Sequence, residues 1–141
     1  MTTGVSCLDA MMVAVIAALR AHSGFMTACP GNVFDGVPLG VRYPYAWVTM
    51  REDPAQMETF GRMGFEVEIS LRAYSLHEGA QELDAIMAAA SPALHHQTLT
   101  VSGFVMRHLH YLGAAPLPAV MVDNKRVVQK IGRFRALVQA S

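Results

Sequence analysis

Cysteine is scarce in this chain, which has only Cys7 and Cys29 among its 141 residues. A disulfide framework needs more cysteines than this, and a structural zinc site normally shows cysteine or histidine pairs at short spacing. Neither pattern occurs around these two positions. We therefore expect two reduced thiols that hold no metal between them.

An excess of positive charge is also missing. Lys and Arg together number 11, as do Asp and Glu together, so the formal net charge at pH 7 is zero. Proteins that hold duplex DNA normally carry a basic excess, because their cations replace the counterions of the phosphates. The composition therefore argues against DNA as a bound ligand, while DNA that slides past without being held stays compatible with it.

No hydrophobic run is long enough to cross a membrane. The most apolar stretch, residues 7–19, contains Asp9 and is shorter than the roughly 20 residues that a bilayer requires. A basic segment before it and a suitably placed cleavage site after it, the marks of a signal peptide, are both lacking. We expect no membrane contact and a protein that stays in the cytoplasm in which it is made.

Charged residues are few, at 16% of the chain, whereas hydrophobic residues reach 52%. This is apolar for a soluble monomer and favours a protein that hides additional surface against other copies of itself. A net charge of zero removes the repulsion that would oppose such contacts. The composition thus predicts a homo-oligomer.

Two helices are predicted from apolar residues that recur every three or four positions. The first covers residues 7–22, begins at a capping box of Ser6 and Asp9, and ends at Ser23 and Gly24. The second covers residues 76–90, begins at the equivalent pair of Ser75 and Glu78, and ends before Pro92.

Strands are predicted where apolar residues alternate with polar ones, most clearly over residues 65–74. We expect Gly103 to form a bulge, and a second bulge at Gly132, because Ile131 otherwise falls on the wrong side of its strand. Two prolines favour a loop over residues 114–120. The remaining predicted strands cover residues 33–34, 45–52, 98–111 and 125–138.

The order of these elements lacks the alternation of strand and helix that produces a parallel sheet. We therefore predict one α+β domain over residues 1–141, an antiparallel or mixed β-sheet with two helices packed on one face. If the strand that bears Glu66 and Glu68 lies beside the strand that bears Arg133 and Arg135, opposite charges would pair for about 0.2–1 kcal/mol each.

Patterns typical of an active site are absent from the sequence. There is no GxSxG motif, and the glycines at positions 31, 36 and 40 do not match a phosphate-binding loop. Asp35 lies in a turn, and Glu66 and Glu68 point outward from a strand, where carboxylates are usually solvated or bonded to their own backbone. We predict no catalytic residue, no cofactor and no enzymatic activity.

Four of the six histidines, His95, His96, His108 and His110, lie close together in the sequence. His108 and His110 point to the same side of a strand, and an adjacent turn would bring His95 or His96 near them to form a zinc site. The spacing offers no fixed fourth ligand. We favour histidines on an edge strand with no metal, and keep a small metal-binding module or metal-dependent enzyme as the alternative.

A connection of about a dozen residues, 51–63, is longer than a hairpin needs. Methionine adapts to irregular surfaces, so Met57, Phe60 and Met63 are candidate anchors for a partner. The other hypothesis is that they fold back onto the domain. The full candidate interface is Arg51, Glu52, Met57, Glu58, Phe60, Arg62 and Met63.

Three segments resemble a known family: VFDGVPLGVRYPYAWVTM at residues 33–50, FEVEISLRAYSLHEGAQELDAIMAAA at residues 65–90 and GRFRALV at residues 132–138. Together they are similar to the tail-completion proteins of phages and prophages, which include the tail terminators of long-tailed phages and of gene transfer agents. The turn from Asp35 to Pro38, followed by Tyr43, Pro44 and Tyr45, is the most distinctive part. The similarity extends from the first helix to the last strand.

This resemblance implies a structural protein of the virion, located at the head-proximal end of the tail. It implies a homo-hexameric ring that contacts the tail tube protein on one face, stops tube growth, and meets a head completion protein on the other. DNA would pass through the lumen without specific binding. An adaptor that binds a host protein through an exposed strand edge is a further hypothesis.

Overall fold

A five-stranded mixed sheet with helices on one face is the framework of the molecule. The computed structural model describes residues 6–55, 64–76 and 81–140. The predicted α+β class is confirmed. In chain order the elements are α1 (Leu8–Ala21), α2 (Ser23–Ala28), β1 (Val33–Phe34), β2 (Tyr45–Ala55), β3 (Gly64–Ser75), α3 (Gln81–Leu94), β4 (Phe104–Val122) and β5 (Lys125–Ala140).

The strands lie in the order β1-β2-β3-β5-β4, so β1 and β4 form opposite edges of the sheet. β1 runs parallel to β2, and every other neighbouring pair is antiparallel. Side chains of β3 alternate between buried and partly exposed, as its sequence predicts. One face of the sheet therefore contributes to the core, and the other has no helix over it among the described residues.

The helices divide the buried face between them. α1 packs on β1 and β2, α3 packs on β3, β4 and β5, and α2 contacts both of these helices. The core between the layers is continuous, and its largest fully buried side chains include Phe25, Phe134, Met11, Leu19, Ile69, Leu71, Ile86, Leu94 and Leu109. None of the described helices has the length and apolar character required to span a membrane.

Helix α1 begins where its sequence predicts, and the Oγ atom of Ser6 accepts the N–H of Leu8 at 3.1 Å. Its end is followed by a short helix, α2, that the sequence did not reveal. The Nδ1 atom of His22 accepts the N–H of Phe25 at 3.0 Å and caps α2, which buries the Phe25 ring. The predicted stop is thus a change of direction between two helices.

Helix α3 extends beyond its predicted end. Pro92 lies inside the helix, which continues to Leu94. A proline there removes one helical hydrogen bond, but Ala93 and Leu94 are buried, and their burial offsets the loss. At the other end, Glu78 of the predicted capping box lies outside the described residues, while Ser75 Oγ donates to Glu82 Oε1 at 2.6 Å.

The loop predicted over residues 114–120 is wrong, because β4 runs through it to Val122 and pairs with β5. Pro116 and Pro118 are tolerated since β4 is an edge strand and its register shifts between Leu117 and Val120. Asp123 and Asn124, with φ of 50° and 63°, close the hairpin.

Neither predicted bulge occurs where the sequence placed it. Gly103, with φ of 81°, lies in the turn before β4. The pairing of β3 with β5 is regular through Gly132, which lies opposite Leu71. A β-carbon at Gly132 would come within 2.7 Å of Met87 Sδ, so the glycine admits α3 close to the sheet. Ile131 is buried on the other face.

Candidate functional site

Charged side chains cross the middle of the sheet face that lacks helices. Arg51 Nη2 lies 2.6 Å from Glu68 Oε2 and 3.5 Å from Asp53 Oδ2, and Arg135 Nε lies 3.0 Å from Glu66 Oε1. The predicted pairing of the glutamates of β3 with arginines of β5 is confirmed for Arg135. These groups are about half exposed, so each pair contributes about 0–1 kcal/mol, and their signs alternate across the face.

Glu52, the second residue of the candidate interface, is partly buried and forms hydrogen bonds with Cys7. Its Oε2 atom accepts both the backbone N–H and the Sγ–H of Cys7, each at 3.1 Å. A carboxylate at this place stabilises the N-terminus of α1, where the helix dipole is positive. Glu52 thus ties β2 to α1, whereas Arg51 is exposed on the bare face.

Both cysteines are free and buried. Burial raises the pKa of the Cys7 thiol to about 12, with a further contribution from Glu52, and burial likewise raises the pKa of Cys29 to about 12. Thiols with such pKa values stay protonated at neutral pH and are poor nucleophiles and metal ligands. Neither thiol is paired in a disulfide in this structure.

The other candidate interface residues, Met57, Glu58, Phe60, Arg62 and Met63, lie outside the described residues. Ala55 and Gly64 are the described residues on either side of this segment. Ala55 at the end of β2 pairs with Gly64 at the start of β3, which in turn pairs with Gln139 near the end of β5. The segment therefore joins the end of the sheet that is opposite the β4–β5 turn.

Aromatic residues occupy the bare face at the β4–β5 turn end of the sheet. The Tyr45 and Tyr74 rings stack with centroids 4.9 Å apart, and burial raises the pKa of Tyr45 to about 12. The Arg72 guanidinium lies over Trp47, 5.5 Å from the ring centroid. Arg72 is also paired with Ile131 across β3 and β5, which helps explain how Ile131 is buried without a helix above it.

Three of the four singled-out histidines converge at the outer edge of β4. Ligand atoms of His95, His96 and His110 all lie within 4.8 Å of one another. His96 Nε2 lies 3.2 Å from His110 Nδ1, and the His95 and His96 rings stack with centroids 3.8 Å apart. The His108 ring lies 4.7 Å from that of His110, so it flanks the cluster.

Hydrogen bonds to the β4 backbone define the role of this cluster. His95 Nδ1 accepts the N–H of Tyr111 at 2.8 Å, and the N–H of His96 donates to the carbonyl of Leu109 at 2.8 Å. The segment after α3 thereby satisfies two backbone groups of an edge strand, groups that would otherwise be open to pairing with another chain. The cluster fastens α3 to β4.

The same bonds limit metal binding. Because His95 Nδ1 accepts a hydrogen bond, its neutral ring carries the proton on Nε2 and has no free lone pair for a metal ion. A three-histidine site would require the bond to Tyr111 to break. His96 and His110 are hydrogen-bonded to each other, so the cluster as arranged offers at most two ligands to a metal, fewer than a structural or catalytic zinc site uses.

Asp35, the carboxylate considered as a general acid, lies just after β1 on the surface. Its carbonyl accepts the indole N–H of Trp47 at 3.0 Å, which holds the turn against β2. The side chain is exposed and has no hydrogen bond to any described residue that would orient it for proton transfer. The geometry gives Asp35 a structural role in the turn.

A family model for the tail completion protein gp17 matches residues 13–139. The chain belongs to this family. The match spans α1 to β5 and includes both edges of the sheet and the histidine cluster.

A solved structure agrees with this assignment. The tail completion chain is similar to a chain in the virion of a native gene transfer agent particle, with 25% sequence identity and a TM-score of 0.80. The likeness covers 97% of this chain and 100% of that chain. A search of curated protein sequences found no match. The chain is thus a structural component of a phage-type tail, located in the virion.

Sequence reasoning alone missed part of this surface in the tail completion protein. The extension of β4 and β5 into a long hairpin was hidden by the two prolines, which usually mark loops. The packing of Arg72 over Trp47 was missed because these residues lie on different strands. The pairing register of β2 with β3, which places them opposite each other, was the signal that would have revealed it.

Acid is expected to loosen the histidine cluster. Partial burial lowers the pKa of His95 below its ordinary 6.5, and His96 and His110 lower it further. When the pKa of a group is lower in the folded protein than in the unfolded chain, the unfolded chain binds the proton first as the pH falls. The free energy of unfolding is therefore highest above the pKa of the unfolded chain and decreases below it. His108 acts in the same direction, because burial and His110 lower its pKa against the opposing effect of Glu66. Thermal unfolding should therefore show falling stability from pH 7 to pH 5.

The variant His95→Asn keeps an acceptor near the Tyr111 N–H and removes the titrating ring, so its stability should fall less steeply over the same pH range. Gln97→Asn is the matched control, because it changes a side chain next to the cluster that does not titrate and should keep the wild-type slope. Equal slopes for all three proteins would contradict the assigned role. Repeating the series with a chelator tests for a metal, which would be revealed by a lower melting temperature.

Proposed function

We propose that this tail completion protein is a tail terminator: it forms a homo-hexameric ring on the head-proximal end of a tail tube, stops tube growth and provides the surface that joins the head. The observation that carries the proposal is the likeness over nearly the whole length of both chains to a component of a gene transfer agent virion. The apolar composition and zero net charge support self-association.

A ring closes when one head-to-tail interface repeats with a suitable rotation, and such an interface uses two different patches of one subunit. The described fold offers distinct surfaces for this purpose at its two sheet edges and two sheet ends. We assign the tube contact to the end of the sheet at Ala55 and Gly64, between which residues 56–63 connect β2 to β3; residues 51–55, predicted as part of this connection, belong to β2. The head completion protein would meet the opposite end of the ring.

The mechanism is surface complementarity without bond making or breaking. A carboxylate in a turn, two protonated thiols and a hydrogen-bonded histidine cluster provide no arranged acid, base and nucleophile among the described residues. On the bare sheet face, arginines are paired with glutamates, so these pairs give the face neither a strongly positive nor a strongly negative potential. A ring built from a chain with zero net charge would let DNA slide through its lumen without holding it.

The second candidate function is a metal-binding module or metal-dependent enzyme, and the observation that favours it is the convergence of His95, His96 and His110. The hydrogen bond from Tyr111 to His95 Nδ1 weighs against it, since it leaves at most two available ligands. The chelator series described above separates the two functions: a metal-independent melting temperature together with ring formation supports the terminator.

The wild-type protein is expected to form rings in solution. Size-exclusion chromatography with light scattering should give the mass of six copies of the 15.3 kDa chain, and added tail tubes should retain it. A strict monomer at all concentrations and salt conditions, with no binding to tubes, would exclude the proposed function.

Replacing Met57, Phe60 and Met63 together by serine is the test of the tube contact. Tube binding should be lost because the apolar anchors are removed, while circular dichroism and the melting temperature stay unchanged. The matched control is Gln56→Ser with Thr59→Ser, which changes polar residues of the same segment and should bind normally. Wild-type tube binding by the triple variant would remove this assignment and leave the ring itself standing.

A further inference from the structure

The β4–β5 hairpin projects past the rest of the sheet and carries apolar residues at its tip. Pairing between β3 and β5 stops at Ser75 and Val128, whereas β4 and β5 remain paired out to Val122 and Lys125. Val120, Met121 and Val122 are all exposed, and Met121 keeps 67% of its surface accessible. Three consecutive apolar residues in water are unfavourable in a free subunit, which marks this tip as a contact surface.

A groove on the outer side of α1 is the second apolar feature without a partner among the described residues. It measures about 320 Å³ and is lined by Met12, Val13, Ile16, Ala17, Arg20 and Asp35. Val13 is 71% exposed although α1 belongs to the core layer. Arg20 is held at the rim, because its Nη2 donates to the carbonyl of Val33 at 2.8 Å and its Nε donates to Asn32 Oδ1 at 3.1 Å.

These two surfaces lie on opposite sides of the subunit. The groove is next to β1, since α1 packs on β1 and β2, and the tip belongs to β4 and β5. β1 and β4 are the two edges of the sheet. Two different patches at opposite edges are the requirement for a head-to-tail interface that repeats around a ring.

We propose that the hairpin tip of one subunit inserts into the α1 groove of the next copy of this chain, with Met121 as the anchor. The inference rests on the proposed ring and specifies its subunit contact. An unbranched methionine side chain adapts to a groove lined by aliphatic side chains, and it buries apolar surface of both subunits in the same contact.

Charge supports this choice of occupant. The tip bears Asp123 on one side of the turn and Lys125 and Arg126 on the other, and the groove bears Arg20 and Asp35. None of the described residues forms an ion pair with Asp35, Asp123, Lys125 or Arg126. The tip and the groove rim therefore each carry one or more positive and one or more negative side chains. Such charges determine the orientation of the contact more than its strength.

The test uses two variants, each of which disrupts one of the two contact surfaces. Met121→Glu places a carboxylate on the tip, and Val13→Glu places one in the groove. Each variant alone should lose rings, with subunit association weakened roughly 30-fold or more, the loss typical of a hot-spot residue. Ser102→Glu, in the turn that precedes β4 and therefore at the end of the strand opposite the tip, is the control and should form rings as the wild type does.

Mixing the two variants separates the possible outcomes. A Met121→Glu subunit keeps its groove and a Val13→Glu subunit keeps its tip, so an equimolar mixture should form dimers with one intact contact and no rings. Rings in either variant alone, or a mixture that stays monomeric while both variants remain folded, would overturn the contact. Failure of the wild type to form rings would instead refute the proposed function.

Discussion

Replacing Gly31 by alanine is expected to lower the free energy of unfolding by about 3 kcal/mol, the upper part of the range for overpacking. A β-carbon at this position would lie 2.0 Å from the carbonyl oxygen of Arg42 and 2.2 Å from that of Pro44. Both are backbone atoms, which cannot rotate away as a side chain would. The Gly31 N–H also donates to the Pro44 carbonyl at 2.8 Å, so the two segments cannot separate without losing this bond.

Two other glycines provide controls for this result. Gly36 has no atom within 4 Å of the added carbon, so Gly36→Ala should change stability by less than about 0.5 kcal/mol. Gly132→Ala should fall between them, because its contact is the flexible end of the Met87 side chain. Urea unfolding followed by circular dichroism measures all three, and equal midpoints for the Gly31 and Gly36 variants would contradict the steric argument.

Much of the fold follows from periodicity in the sequence. The alternation of residues 65–74 predicts β3 with its correct buried face, and the spacing of Leu8, Met11, Val15 and Leu19 predicts α1. These signals are reliable because each element buries one side against a layer that runs its full length. The pairing of Arg135 with Glu66 was also predictable, since neighbouring strands of opposite charge favour one register.

Prolines and glycines lead to wrong predictions where contacts distant in sequence decide their effect. Pro92 lies within α3 because the two residues that follow it are buried. Pro116 and Pro118 lie in an edge strand, whose outer side has, among the described residues, no neighbouring strand to which backbone N–H groups must donate hydrogen bonds. Gly132 suggested a bulge, but a glycine is needed there because Met87, on a helix distant in sequence, lies too close to leave room for a β-carbon. No local window of sequence contains that information.

The candidate site also combines features that the sequence predicts with features that depend on contacts distant in sequence. Proximity in sequence predicted that histidines would meet, but their chemistry depends on the Tyr111 N–H, which removes one ligand from the set. Glu52 was assigned to an interface from its position in a polar segment, and the structure adds that it accepts two hydrogen bonds from Cys7 at the start of α1. Partners distant in sequence determine what each side chain does.

Truncating Phe134 to alanine is expected to cost about 3–5 kcal/mol, the usual loss for a buried phenylalanine. Phe134 is fully buried in β5, where it lies between Ile69 of β3 and Tyr111 of β4, and its ring centroid is 5.1 Å from that of Tyr111. Since single domains are stable by roughly 5–15 kcal/mol, this substitution removes a large share of the total. β5 also carries one arm of the proposed contact hairpin, so ring formation should fail as well.

Arg133→Ala is the matched control, because Arg133 is the preceding residue of β5 and its side chain is exposed on the opposite face. Its stability should stay within about 0.5 kcal/mol of the wild type. Phe134→Leu fills most of the cavity and should lie between the two. If Phe134→Ala unfolded at the same urea concentration as Arg133→Ala, the centre of the sheet would not be the part of the core that stabilises the fold. A loss of rings in Arg133→Ala without a loss of stability would instead place the bare face of the sheet within a subunit contact, in addition to the hairpin tip.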